Sequence, residues 1–125
     1  MGLFGFGNKT EESSFPWNDL TTIEQLKDIL AHSAEKPVLL FKHSTRCSIS
    51  SMALSRFQKE WNQENKEINL YYLDLLNYRA ISNEIAVLTG VVHQSPQAIL
   101  VSNNEVKYSA SHSSISANDI QNAIH

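Results

Sequence analysis

Chemistry in this chain starts from a lone cysteine, Cys47, and from the serine three residues after it, Ser50. Four apolar residues, Val38 to Phe41, precede them as a short run, and a polar turn follows. Beyond the cysteine, apolar residues recur at Ile49, Ala53, Phe57 and Trp61. That spacing belongs to one face of a helix. Cys47 therefore falls where a loop becomes a helix. The N–H groups of a first helical turn lack intrahelical partners and favour a nearby anion, so a thiolate is favoured there. A cysteine at Ser50 would complete a dithiol redox motif. Serine cannot close a disulfide, although it can hydrogen-bond near the sulfur. Any redox cycle through Cys47 must then use an external thiol by way of a mixed disulfide.

Five of the ten basic residues lie between Lys36 and Lys59, namely Lys36, Lys42, Arg46, Arg56 and Lys59, with no Asp or Glu among them. A positive field and a helix start both favour a thiolate. Arg46 is suited to hold a carboxylate of a small-molecule partner. Lys42 and His43 are consecutive on a strand, so at most one of them faces the sulfur. Most free cysteines are small buried hydrophobes; the junction, the basic window and Ser50 favour a reactive one. A cysteine protease would need an oriented histidine. The candidates His32, His43, His93, His112 and His125 show no fixed pairing, and the scattered imidazoles do not form a metal-binding pattern.

Elements on both sides of Cys47 must position it. Residues 1 to 14 read as a flexible arm with Leu3, Phe4 and Phe6 between glycines. Residues 15 to 125 read as one domain. Phe15 to Leu20 can hold a short edge strand, with Pro16 at its start. Thr21 and Glu24 form a capping-box pattern for a helix whose face carries Ile23, Leu26 and Leu30, ending before Pro37. Val38 to His43 is a strand buried on both faces. The Cys47 helix runs to Trp61 or Asn62. Ile68 to Leu73 is the third strand, and Tyr78 to Leu88 is a helix presenting Ile81, Ile85 and Leu88, with Gly90 as its C-terminal cap. Gln97 to Ser102 and Glu105 to Ala110 form a hairpin around Asn103-Asn104. The Ser-rich stretch from Ser109 to Ser116 is a loop, and Ser116, with Asp119 three residues on, caps a last helix carrying Ile120. The pattern implies an α/β domain with a mixed sheet.

The chain has 125 residues, enough for one modest core. With a net charge of -3 there is no global support for nucleic-acid binding. No apolar run reaches the roughly 20 residues that span a bilayer. The opening MGLFGFGNKT lacks the basic leader of a signal peptide, and Phe6 stands where a myristoylation signal wants Ser or Thr. A cytoplasmic location is expected, where a lone thiol stays reduced. Neither a GxGxxG motif nor a P-loop is present.

Ser95-Pro96 lies at the mouth of the hairpin's first strand. If that strand neighbours Val38 to Phe41, Pro96 and Cys47 meet at one sheet end, and backbone groups at Ser95 can pair with a bound peptide or thiol conjugate. TRCSIS followed by HQSPQAIL is similar to the monothiol bacilliredoxins of the thioredoxin-fold superfamily, and the resemblance covers Phe15 to His125. It implies a thioredoxin-like mixed sheet of about five strands flanked by helices on both faces, a cis Pro96 and a nucleophilic Cys47. It further implies that Cys47 attacks the mixed disulfide between bacillithiol and a client protein, and that a low-molecular-weight thiol or a partner redoxin then resolves the product. Bacillithiol is then a co-substrate, with no tightly bound cofactor. Its malate carboxylates suit the basic window at Arg46. Lys42, His43, Ser48, Ser50 and Ser95 are the expected supporting residues. Ser48 departs from the proline common after such a cysteine, adding an N–H and a hydroxyl near the sulfur. Two other classes compete: a non-catalytic thioredoxin-like adaptor, and a redox sensor that is bacillithiolated without turnover.

Overall fold

The structure is a computed structural model that describes residues 15–124; the arm expected at 1–14 lies outside the described residues. Its elements are β1 (Asn18–Asp19), α1 (Ile23–His32), β2 (Val38–His43), α2 (Ser48–Glu60), β3 (Asn69–Asp74), α3 (Arg79–Thr89), β4 (Gln97–Ser102), β5 (Glu105–Ser111), a 3-10 turn (His112–Ser114) and α4 (Ala117–Asn122). One five-stranded sheet runs in the order β1-β3-β2-β4-β5. β3 pairs in parallel with β1 and β2, while β4 is antiparallel to β2 and β5. β2 is central, and all six of its residues are buried.

Alternation along β2 separates two cores. Leu39 and Phe41 face α2 and α4, in a cluster with Ala53, Phe57, Trp61, Leu100 and Ile120. Val38 and Leu40 face α1 and α3, with Leu26, Leu30, Ile81, Ile85 and Ile99. Helices therefore cover both faces of the mixed sheet. On the α2 side the packing is aromatic: Trp17 stacks on Phe57 at 5.6 Å, and Phe41 lies 5.4 Å from the same ring. Burying a side chain of that size contributes about 1.5–3 kcal/mol.

Several boundaries differ from expectation for local reasons. Two cap patterns overlap at the start of α1, Thr21 to Glu24 and Thr22 to Gln25. The chain uses the second: Gln25 N–H donates to Thr22 Oγ1 at 3.0 Å, and Gln25 Oε1 accepts from Thr21 N–H at 2.9 Å. β1 shrinks to two residues because Phe15 and Leu20 leave the edge to enter opposite cores. β3 sits one residue later than expected, since Asp74 pairs with His43. Ile49 is 56% exposed, and buried Ser50 takes the inward position on α2 instead. Leu88 is likewise exposed at the end of α3. The Ser-rich stretch is only partly a loop, because β5 continues to Ser111 and the 3-10 turn follows.

The expected caps and turn are present. Gly90 ends α3 at φ 75, a region that L residues rarely adopt. Ser116 Oγ accepts from Asp119 N–H at the start of α4. Asn103 and Asn104, at φ 56 and 61, make the two-residue hairpin turn, with the twist that suits paired strands. That turn is also tied to α1: Ser33, buried just past the helix, accepts from Asn103 N–H through its carbonyl and from Asn104 N–H through its hydroxyl.

Candidate thiol exchange site

β2 delivers the chain to the site. After His43, residues Ser44 to Arg46 turn, and Cys47 becomes the N-cap of α2 with extended backbone. Its thiol is free and partly exposed, and its side chain makes no capping bond to the helix. Ser48 and Arg46 flank it, both exposed. The neighbouring strand β4 begins at the same sheet end, because Lys42 pairs with Gln97. One step further along that register, Pro96 comes opposite His43. The Ser95–Pro96 peptide bond is cis. Ser95 Oγ is buried without a hydrogen-bond partner among the described residues, and the Pro96 carbonyl accepts from His112 N–H at 3.1 Å.

Ser50 does something other than accompany the sulfur. Its hydroxyl oxygen accepts from Ser44 N–H at 3.0 Å and lies 2.7 Å from His43 Nδ1. Burial pushes the His43 imidazole below its ordinary pKa, only partly offset by the Asp74 carboxylate across the strand pair. At neutral pH the ring is uncharged, and the Ser50 hydroxyl proton is available to Nδ1. Ser50 thus fastens the end of β2 to the first turn of α2 and sets the path of the loop that carries Cys47. It also engages Nδ1 of the imidazole nearest in sequence to the cysteine.

Lys42 turns the other way. Its side chain is fully buried. Nζ donates to the Ser82 carbonyl of α3 at 3.1 Å and to His93 Nδ1 at 3.1 Å. Burial lowers its pKa to about 8, so it remains charged at pH 7. An ammonium only donates, which fixes Nδ1 of His93 as the acceptor and places the ring proton on Nε2. Gln97, paired with Lys42 and buried beside it, holds the same segment: Nε2 donates to the Val92 carbonyl and Oε1 accepts from Gln94 N–H. Together Lys42 and Gln97 brace the stretch leading into Pro96.

The basic window does not become a local cluster. Lys36 precedes β2, at the opposite end of a strand about 20 Å long. Lys59 lies in the last turn of α2, about 18 Å along the helix from Cys47. Arg56 donates to the carbonyls of Ser113 and Ile115 and so holds the 3-10 turn. Of the five, Arg46 alone stays beside the cysteine. Sequence reasoning had no role for Gln97 or Ser82. For Gln97 the signal was the strand register, which places it across from Lys42; Ser82, on α3, reaches Lys42 through its backbone carbonyl, which no residue type announces. A groove of about 650 Å³ opens beside the site, lined by Trp17, His43, Thr45, Ser51, Gln58 and Tyr72 among others.

Residues 18–120 match the family model of the monothiol bacilliredoxin BrxC. The chain belongs to the monothiol bacilliredoxin family. A solved structure described as a candidate oxidoreductase with a thioredoxin fold is 32% identical, with a TM-score of 0.74, covering 88% of this chain and 95% of that one. Thioredoxin f from spinach chloroplast is 15% identical at a TM-score of 0.68, with 95% of each chain covered. A thioredoxin of Malassezia sympodialis is 17% identical at 0.61, with 85% of each chain covered; these two matches establish the fold alone. The family and the fold assign this bacilliredoxin-family chain to thiol redox chemistry. Among the described residues, no helix is long and apolar enough to cross a membrane, and no group of three or more His, Cys, Asp and Glu could hold a metal ion.

Proposed function

We propose that this protein is a thiol–disulfide oxidoreductase that removes bacillithiol from mixed disulfides on client proteins, with Cys47 as the nucleophile. One observation carries the reading: a free, partly exposed cysteine caps a 13-residue helix at the sheet end where a cis-proline opens the neighbouring strand. The Cys47 thiolate attacks the bacillithiol sulfur of the mixed disulfide. The old S–S bond breaks, the client sulfur leaves as a thiolate that takes up a proton, and Cys47 becomes bacillithiolated. A second low-molecular-weight thiol or a partner redoxin then attacks that new disulfide, restoring the Cys47 thiolate. Ser50 cannot resolve it internally, which supports the need for a second thiol. Arg46 and the backbone of Ser95 are the expected contacts for the conjugate, and a cytoplasmic setting suits this cycle.

The test is intact mass after exposure to oxidised bacillithiol, followed by an assay on a bacillithiolated client. Cys47 gains one bacillithiol and the client loses it, while Cys47→Ser does neither. Labelling without client reduction identifies a sensor. Client binding that survives Cys47→Ser, with no exchange in the parent protein, identifies an adaptor.

A further inference from the structure

Lys42 and His93 meet beside the segment that leads into Pro96, and Arg79 stands one helical turn before Ser82, which contacts both. Lys42 is a fully buried ammonium whose partners are a carbonyl and an imidazole, not a carboxylate. A buried charge without a counter-charge is costly. Arg79 is the first residue of α3, at the positive end of the helix dipole, and no acidic residue occupies that first turn; a cation there is unfavourable. His93 is exposed, with Ser82 Oγ 3.3 Å from its Nδ1, and Arg79 precedes Ser82 by one turn on the same helix face. Nδ1 of His93 is engaged by Lys42, which leaves the Nε2–H as a donor polarised by the buried ammonium. The two misplaced charges, Lys42 and Arg79, have one sign and lie on one side of the sheet, and a single bound anion would offset them together while the neutral His93 donates to it through Nε2.

The location matters for chemistry. Lys42 is the penultimate residue of β2, which leads into the Cys47 turn, and His93 stands three residues before Pro96. A ligand lying along the cis-proline segment could therefore reach Cys47 and this cluster at once. We propose that the Arg79 guanidinium and the His93 Nε2–H, backed by the buried Lys42 ammonium, form a carboxylate-binding subsite. It would hold the non-sulfur part of an anionic low-molecular-weight disulfide while Cys47 attacks its sulfur. This inference rests on the exchange reading above and extends it. Arg79, not Arg46 alone, becomes a specificity-determining residue. Its planar fork matches a carboxylate in a way that a lysine does not.

The experiment compares two symmetrical disulfides on the full chain at pH 7. One is 3,3′-dithiodipropionate, which carries carboxylates, and the other is the neutral bis(2-hydroxyethyl) disulfide. The rate of adduct formation on Cys47 is followed by intact mass, and the anionic-to-neutral rate ratio is taken within each variant. Arg79→Gln should lower that ratio about tenfold, the loss of one charge-assisted hydrogen bond. His93→Leu should lower it by a smaller factor, and Arg79→Lys should restore part of the Arg79→Gln loss. Arg79 is exposed, so its variants should fold; His93→Leu removes a partner of the buried Lys42, and its fold is checked by circular dichroism before its ratio is read. A ratio unchanged in both Arg79→Gln and His93→Leu overturns the subsite while leaving the exchange reading in place. Failure of Cys47 to react with either disulfide in the parent protein overturns the exchange reading, and the subsite with it.

Discussion

Lys42 and His43 are consecutive residues of one strand, both buried and both with pKa values lowered by desolvation. They nevertheless end in opposite charge states. His43 points toward α2 and is neutral at pH 7, bonded to Ser50. Lys42 points toward α3 and keeps its charge, because an amine lowered only to about 8 is still protonated. One face of the sheet end is therefore a quiet hinge for the cysteine loop, and the other carries a standing positive charge. The difference follows from the intrinsic pKa values: equal burial neutralises an imidazole readily and an ammonium only with difficulty.

Three measurements bear on that contrast. The largest effect belongs to Lys42. Its unfolded-state pKa is near 10.5 and its folded value about 8. Between those values the unfolded chain binds more protons, so stability rises with pH. The gain should total about 3 kcal/mol between pH 8 and 10.5. Denaturant titrations across that range should show it, and Lys42→Met should abolish it. The same variant should be more stable than the parent at pH 7, as a well-packed hydrophobe replaces an unpaired buried charge. Equal or lower stability in Lys42→Met would mean that the ammonium is better compensated than its two neutral partners suggest.

Second comes Ser50→Ala, which leaves Ser44 N–H and His43 Nδ1 without their shared partner. A loss of about 1–3 kcal/mol is expected, read as a lower denaturation midpoint, with slower exchange at Cys47 as its loop loosens. The smallest effect is the acid limb of His43. Its folded pKa is below 6.5, so the unfolded chain takes up the proton first and stability falls as pH drops below about 6.5. The slope cannot exceed about 1.4 kcal/mol per pH unit for one proton, and His43→Gln should flatten it.

Much of this organisation was legible in the sequence because local rules dominate where they agree. Val38 to His43, the N-cap at Cys47, Gly90, the Asn103-Asn104 turn and the Ser116 cap follow from short-range patterns that tertiary packing did not override. The site was less legible. Ser50 was visible as a replacement for a second cysteine, but its bonds to His43 and Ser44 depend on how the loop doubles back. The basic window misled because distance along a strand or a helix separates charges that neighbour one another on paper. Lys42 and His93 meet only through the sheet and α3. Ile49 fits the helical stripe by spacing, yet it falls on the exposed side of the first turn, where Ser50 takes the inward place.

Ser33 has a mechanical consequence. It grips the hairpin turn through both Asn103 N–H and Asn104 N–H, at the far end of β4 from Pro96. At the near end, the Pro96 carbonyl is held by His112. β4 is thus moored at both ends, like a beam on two supports, and cannot slide lengthwise against β2. Displacement that admits a bulky disulfide is therefore expected on the opposite bank, at the turn from Thr45 to Cys47 and the exposed start of α2. The backbone amides of Asn103 and Asn104 should exchange with solvent deuterium slowly for a surface turn, and those of the cysteine turn quickly.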